Sequence, residues 1–109
     1  MAFSEELAER IRRRLARRKG IEEKMMFGGI GFLVNGNLLV GVWKDSLIAR
    51  LGPDGGEAAL QEPYVRPFDV TGRAMAGWVL VGPEAVEEDR QLHDWVDRAL
   101  GFVGTLPAR

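Results

Sequence analysis

The sequence contains no cysteine, which removes disulfides, thiolate zinc sites and cysteine nucleophiles together. It contains one histidine, His93, so any imidazole chemistry would have to pass through that side chain. No apolar run approaches the roughly 20 residues a helix needs to span a bilayer. The first twenty residues carry seven basic side chains and no apolar stretch of the kind that marks a secretory signal. Formal net charge is −1, so no overall field draws the protein to nucleic acid or to a membrane surface. These absences, with the lack of cysteine, make the cytoplasm the expected compartment.

What is present describes a folded globule. Hydrophobic residues make up 46% of 109 positions, enough for a working core without metals or disulfides. No repeat, linker or low-complexity tract interrupts the chain, so residues 1–109 are expected to form a single domain.

The clearest structural signal is Met25 to Trp43, where two apolar runs flank Asn35-Gly36. Both residues of that pair tolerate positive φ, so the segment reads as a tight hairpin with strands over about 30–34 and 38–43. A shorter strand is expected over 23–27. Ahead of it, Ser4 can cap a helix whose first turn carries Glu5 and Glu6, and Leu7, Ala8, Ile11 and Leu15 form an apolar stripe. That helix is expected over 4–18, with Gly20 as its stop. Lys44-Asp45-Ser46 reads as a turn, 47–51 as a strand, and Gly52-Pro53-Asp54 as its end. A short helix is expected over 57–62, then a turn-rich connection over 63–67, an edge strand over 68–70 and a loop over 71–73. Residues 77–81, GWVLV, form a strand rich in aromatic and β-branched residues. A last helix is expected over 86–103, with Leu92, Val96, Ala99, Leu100 and Val103 on its apolar face. Hairpin-length connections argue against a doubly wound parallel sheet. The expected fold class is α+β: two layers, an antiparallel sheet flanked by N-terminal and C-terminal helices packed on one face.

An ordered set of motifs carries a family resemblance. A basic first helix is followed by Lys24-Met25-Met26-Phe27-Gly28-Gly29 and Gly31-Phe32-Leu33-Val34-Asn35-Gly36-Asn37. Leu47 to Gly52 comes next, then Arg66-Pro67-Phe68-Asp69-Val70-Thr71-Gly72-Arg73, Gly77-Trp78-Val79, and a terminal helix with Leu92, Trp95 and Val96. The set resembles the TfoX N-terminal-domain family over nearly the whole chain. The resemblance implies a two-layer α+β fold like that of secretion chaperones. It also implies a role like that of the family's best-known members, bacterial regulators of natural competence that act with a transcription activator. Those members carry a second, helical domain, and this sequence resembles a stand-alone N-terminal domain. The family supplies no catalytic residue set.

Several constellations invite a chemical reading. Gly28, Gly29 and Gly31 suggest a phosphate loop, but the position three after Gly31 is Val34 and a strand follows instead of a helix. A turn or bulge is expected there. Asp69-Val70-Thr71-Gly72 has the wrong spacing for an aspartic protease loop, and Asp69 and Arg73 are expected to fix the loop by hydrogen bonds. His93 has only Asp89, Asp94 and Asp97 nearby in sequence as companion ligands, and reads as a partly exposed residue flanking the last helix. A Ser46–His93–Asp94 triad would lack an elbow motif around Ser46. Trp43, Trp78 and Trp95 read as core or interface residues. No catalytic, cofactor-binding or metal-binding residue is assigned, and no cofactor is expected.

The most suggestive functional feature is basic. Arg10, Arg13, Arg14, Arg17 and Arg18, with Arg12 and Lys19 beside them, concentrate positive charge on the first helix. A helical wheel spreads these side chains around the axis without a single stripe. The candidate interaction surface is Arg10, Arg13, Arg14, Arg17 and Arg18. The expected function is a non-enzymatic regulatory or protein-interaction module, its partner a protein or a second copy of the chain and not a membrane. The alternatives are nucleic-acid binding through the basic helix, and a small ligand-binding protein or enzyme with Arg50, Arg66, Asp69 and Arg73 near its pocket.

Overall fold

The computed structural model describes residues 3–109. Within them the chain forms three α-helices and six strands: α1 (Glu5–Arg14), β1 (Ile21–Met26), β2 (Gly29–Val34), β3 (Asn37–Trp43), β4 (Ser46–Arg50), α2 (Gly52–Ala59), β5 (Val65–Pro67), β6 (Trp78–Val81) and α3 (Asp89–Val103). The strands make one sheet in the order β1-β2-β3-β4-β6-β5, antiparallel at every junction. The expected α+β arrangement is present, with a helix between β4 and β5.

The hairpins follow from their turn residues. Asn35 and Gly36 sit at φ of 51° and 84°, as a two-residue hairpin turn requires. Phe27 and Gly28, at 57° and 78°, make a second such turn between β1 and β2. The glycines at 28–31 are therefore hairpin and strand residues. A side chain at Gly29 would collide with the Val42 carbonyl.

Packing on the helix side comes from strict alternation with one interruption. Ile30, Phe32, Val34, Val42, Leu47, Ala49, Val79 and Val81 face the helices and join Leu7, Ile11, Leu92, Trp95, Val96 and Ala99 in the main core. Phe32 pairs with Val40 and Leu33 with Leu38, which leaves Leu39 without a partner. This bulge sends two consecutive side chains, Leu39 and Val40, into the same core.

The opposite face of the sheet is covered by loop instead of helix. Leu38, Ile48 and Leu80 are buried there beneath Phe68, with Phe27, Trp43, Met75 and Trp78 partly buried around them. Phe68 is fully buried. Its ring meets Phe27 edge-on at 5.2 Å and stacks on Trp78 at 5.7 Å.

Several element boundaries differ from the sequence expectation. α1 ends at Arg14, not 18. Beyond Leu15 the backbone bonds tighten to Ala16 N–H donating to Arg13 and Arg18 N–H to Leu15, which turns the chain. Gly20 (φ 79°) bends the backbone at the entry to β1 and not at the helix end. α2 begins at Gly52, because Pro53 in its first turn presets helical φ. The edge strand is 65–67, not 68–70: Phe68 N–H makes one last bond to the Trp78 carbonyl at 3.4 Å, and Met75 N–H then donates to the Phe68 carbonyl, so the chain leaves the ladder as a loop after Phe68. α3 begins at Asp89, not 86, where the Gln91 side chain accepts a hydrogen bond from the Glu88 amide at 2.9 Å.

An arginine-lined groove between the first and last helices

α1 and α3 lie side by side on the sheet, and charged rungs join them. Arg10 Nε donates to Asp89 Oδ1 at 3.0 Å, and its Nη2 donates to the Glu87 carbonyl at 3.3 Å. One turn along, Arg14 Nη2 donates to Asp97 Oδ1 at 2.6 Å. The i, i+4 spacing on α1 meets i, i+8 spacing on α3, so both rungs fall on facing sides of the two helices.

A groove of about 440 Å³ opens along this seam, lined by Arg10, Arg13, Arg14, Arg17, Asp89 and His93. A neighbouring hollow of about 730 Å³ shares Arg14 and Arg17 with it and adds Arg18, Lys19, Asn35 and Asp97. The five residues of the expected interaction surface are thus divided between two hollows that share Arg14 and Arg17. Four of them, Arg10, Arg13, Arg14 and Arg17, recur at i, i+3, i+4 and i+7 and line the first hollow, so the helical-wheel scatter is narrower than expected.

Arg12 is the exception. It turns away from the groove to the sheet edge, where Nε and Nη2 hold both carboxylate oxygens of Glu23 at 2.6 and 2.7 Å, and Nη1 donates to Glu9 at 2.7 Å. These hydrogen bonds hold the Glu23 carboxyl below its ordinary value and raise the Arg12 guanidinium.

The groove's cations are unequally committed. Arg10 and Arg14 are bridged to α3, and Arg13 lies 3.7 Å from Glu9. Arg17, Arg18 and Lys19 form no ion pair among the described residues. Guanidinium groups stay charged at any physiological pH and present planar forks that match carboxylates. The arrangement thus suits recognition of an anionic surface, not proton transfer.

The other sequence candidates do not assemble. Ser46 Oγ is buried at the start of β4 and donates to Asp45 Oδ1 at 3.4 Å, while Asp94 is bound to Arg98 at 2.9 Å. No hydrogen bond joins either residue to exposed His93. Among the described residues no three His, Asp or Glu side chains gather closely enough to hold a metal ion. No hydrogen bond or ion pair joins the side chains of Arg50, Arg66, Asp69 and Arg73 to one another. Arg50 packs between the rings of Trp78 and Phe102, where burial and then nearby Arg109 lower its pKa, and Arg66 reaches over Trp43. The loop at 69–73 is tied by main-chain groups, with Gly72 N–H donating to Asp69 and the Thr71 hydroxyl to the Arg73 carbonyl. The Asp69 and Arg73 side chains take no part. Trp95 lies in the main core, and Trp43 and Trp78 are half-buried on the second face.

The sequence pattern reveals the arginines but not the carboxylates that frame them. Asp89 and Asp97 carry a weak signal, two acids eight residues apart on one helix, but only tertiary packing shows that they face Arg10 and Arg14.

No helix among the described residues is long and apolar enough to cross a membrane. A family model described as the TfoX N-terminal domain matches residues 13–103. No curated protein and no solved structure matches the chain.

Proposed function

The chain belongs to the TfoX N-terminal domain family, and on that premise we propose that it is a non-enzymatic regulatory module of the cytoplasm that works by binding a protein. The binding surface is the α1–α3 groove, and the partner presents an acidic segment to it. One observation carries this reading: Arg10, Arg13, Arg14, Arg17 and Arg18 line two hollows that share Arg14 and Arg17, and Arg17, Arg18 and Lys19 have no intramolecular ion pair among the described residues. Carboxylates of a partner would complete them with charge-assisted hydrogen bonds.

The same three cations favour a second reading, contact with nucleic acid phosphates. Weighing against it, the inner arginines are already engaged by Asp89 and Asp97, and no Phe, Tyr or Trp side chain lines either hollow to stack a base.

The two readings separate in one experiment. Labelled oligoglutamate and labelled duplex DNA are titrated with the protein and followed by fluorescence anisotropy at low and moderate salt. The proposal expects oligoglutamate to bind, and Arg13→Glu/Arg17→Glu to weaken it by about tenfold or more, two close charge contacts being reversed. Tighter binding of DNA, with a steep loss on adding salt, would establish the nucleic-acid reading instead. Binding of neither probe would set the groove aside.

A further inference from the structure

The sheet has two edges, and they are built differently. β5 is a three-residue edge closed by Pro67, which cannot donate to a further strand. β1 is six residues long, pairs only with β2, and is exposed along its middle. Asn35 N–H donates to the Gly20 carbonyl at 3.0 Å, which fixes the alternation along the strand. Glu22, Lys24 and Met26 turn their main-chain groups to β2, and Ile21, Glu23 and Met25 turn theirs outward. Beside this row of open donors and acceptors stands Met25, 65% exposed, the most exposed large hydrophobic side chain among the described residues.

The side chains of β1 divide cleanly between faces. Ile21, Glu23 and Met25 pair with Val34, Phe32 and Ile30 and so lie on the helix side, while Glu22 and Lys24 pair with Leu33 and Gly31 on the opposite side. A second copy of the strand, added antiparallel about a two-fold axis perpendicular to the sheet, keeps both helix layers on one side. Only registers in which a residue faces itself are then allowed. Centring on Glu22 sets Glu22 against Glu22 and Ile21 against Glu23. Centring on Lys24 sets Lys24 against Lys24 and Glu23 against Met25. Centring on Glu23 does something else: Glu22 meets Lys24 twice and Ile21 meets Met25 twice. The one like-charge pair, Glu23 with Glu23, is offset because each carboxylate is already held by its own Arg12. In this register every outward N–H and C=O of Ile21, Glu23 and Met25 finds a partner.

We infer that the protein forms a homodimer by antiparallel pairing of β1 with β1 in the register centred on Glu23, joining two six-stranded sheets into one. The occupant of the open edge is a second copy, because the edge is complementary to itself in charge and in apolar surface. None of the paired residues Ile21–Met25 lines the arginine groove, so this inference stands or falls separately from the binding role proposed above.

Sedimentation equilibrium of the full chain tests it. The wild type is expected to be a dimer. Lys24→Glu turns two opposite-charge pairs into like-charge pairs and should raise the dimer dissociation constant about tenfold. Glu22→Lys/Lys24→Glu, which exchanges the two charges, should restore it. A wild type that stays monomeric at millimolar concentration overturns the inference. So does a dimer indifferent to Lys24→Glu, or one that the double exchange fails to rescue. Covalent trapping reads the same register independently of that variant's folding. Glu22 and Lys24 of the two copies form a non-hydrogen-bonded pair, with Cα atoms about 4.5 Å apart and within disulfide reach. In a chain that has no other cysteine, Glu22→Cys/Lys24→Cys should cross-link to a covalent dimer under diamide, and Glu22→Cys alone should not. Absence of that cross-link, or equal cross-linking by the single variant, excludes this register.

Discussion

Phe68 is the centre of the core on the second face of the sheet. Its ring is fully buried between Phe27 and Trp78, on a face of the sheet that no helix covers. Phe68→Ala should therefore cost about 3–5 kcal/mol, the usual range for deleting a buried aromatic ring. Urea unfolding followed by tryptophan fluorescence measures it, and a loss well below that range would mean the second face is loosely packed. Glu23 makes a different kind of prediction. The Arg12 hydrogen bonds hold its carboxyl below the ordinary value of 4.5. The native state then binds fewer protons than the unfolded chain in acid. The contribution is fully present above 4.5 and is lost as pH falls through the depressed native value. Glu23→Gln should change stability at neutral pH by no more than about 1 kcal/mol, since the pair is part-exposed. It should also flatten the acid limb of a stability–pH profile. An acid limb identical to that of the wild type would contradict the assignment.

At the scale of elements, local chemistry decides the ends and tertiary packing decides the exceptions. α1 starts where Ser4 accepts the Leu7 amide at 3.2 Å. Ser4→Ala should cost about 1 kcal/mol in chemical unfolding, and Ser4→Gly only a few tenths; no loss in Ser4→Ala would show that the cap contributes nothing. Elements with strong local signals are legible in the residues themselves. Asn35-Gly36 specifies its hairpin, the GWVLV segment its strand, and Leu92, Val96, Ala99 and Val103 the buried side of α3. The elements that depart from expectation are those where a long-range contact outweighs the local pattern. The edge strand forms over Val65–Pro67 because β6 supplies its partners from Val81 to Val79, and beyond Phe68 the chain turns back on itself through the Met75-to-Phe68 bond. α2 tolerates Gly55 and Gly56 because Gly56 lies directly against the Gly77 backbone, where a larger side chain would not fit. The bulge at Leu39 has no legible signal, since an unbroken apolar run conceals which residue is extra.

For the whole molecule, the chain's first and last helices meet on one layer, and their seam creates the groove. Its positive lining is legible as a run of arginines, whereas its shape is not, because Asp89 and Asp97 lie roughly eighty residues from the side chains they bind. That separation also explains why the family resemblance carries the fold so much further than the site. The groove is the centre of the functional account, so the most direct measurement is a residue-resolved one. Amide chemical shifts of the isotopically labelled protein are recorded while oligoglutamate is added. The account predicts perturbations confined to the seam, at Arg13, Arg17, Arg18 and His93, and their disappearance in Arg13→Glu/Arg17→Glu. Perturbations centred on the opposite face of the sheet, or spread evenly over the surface, would contradict it.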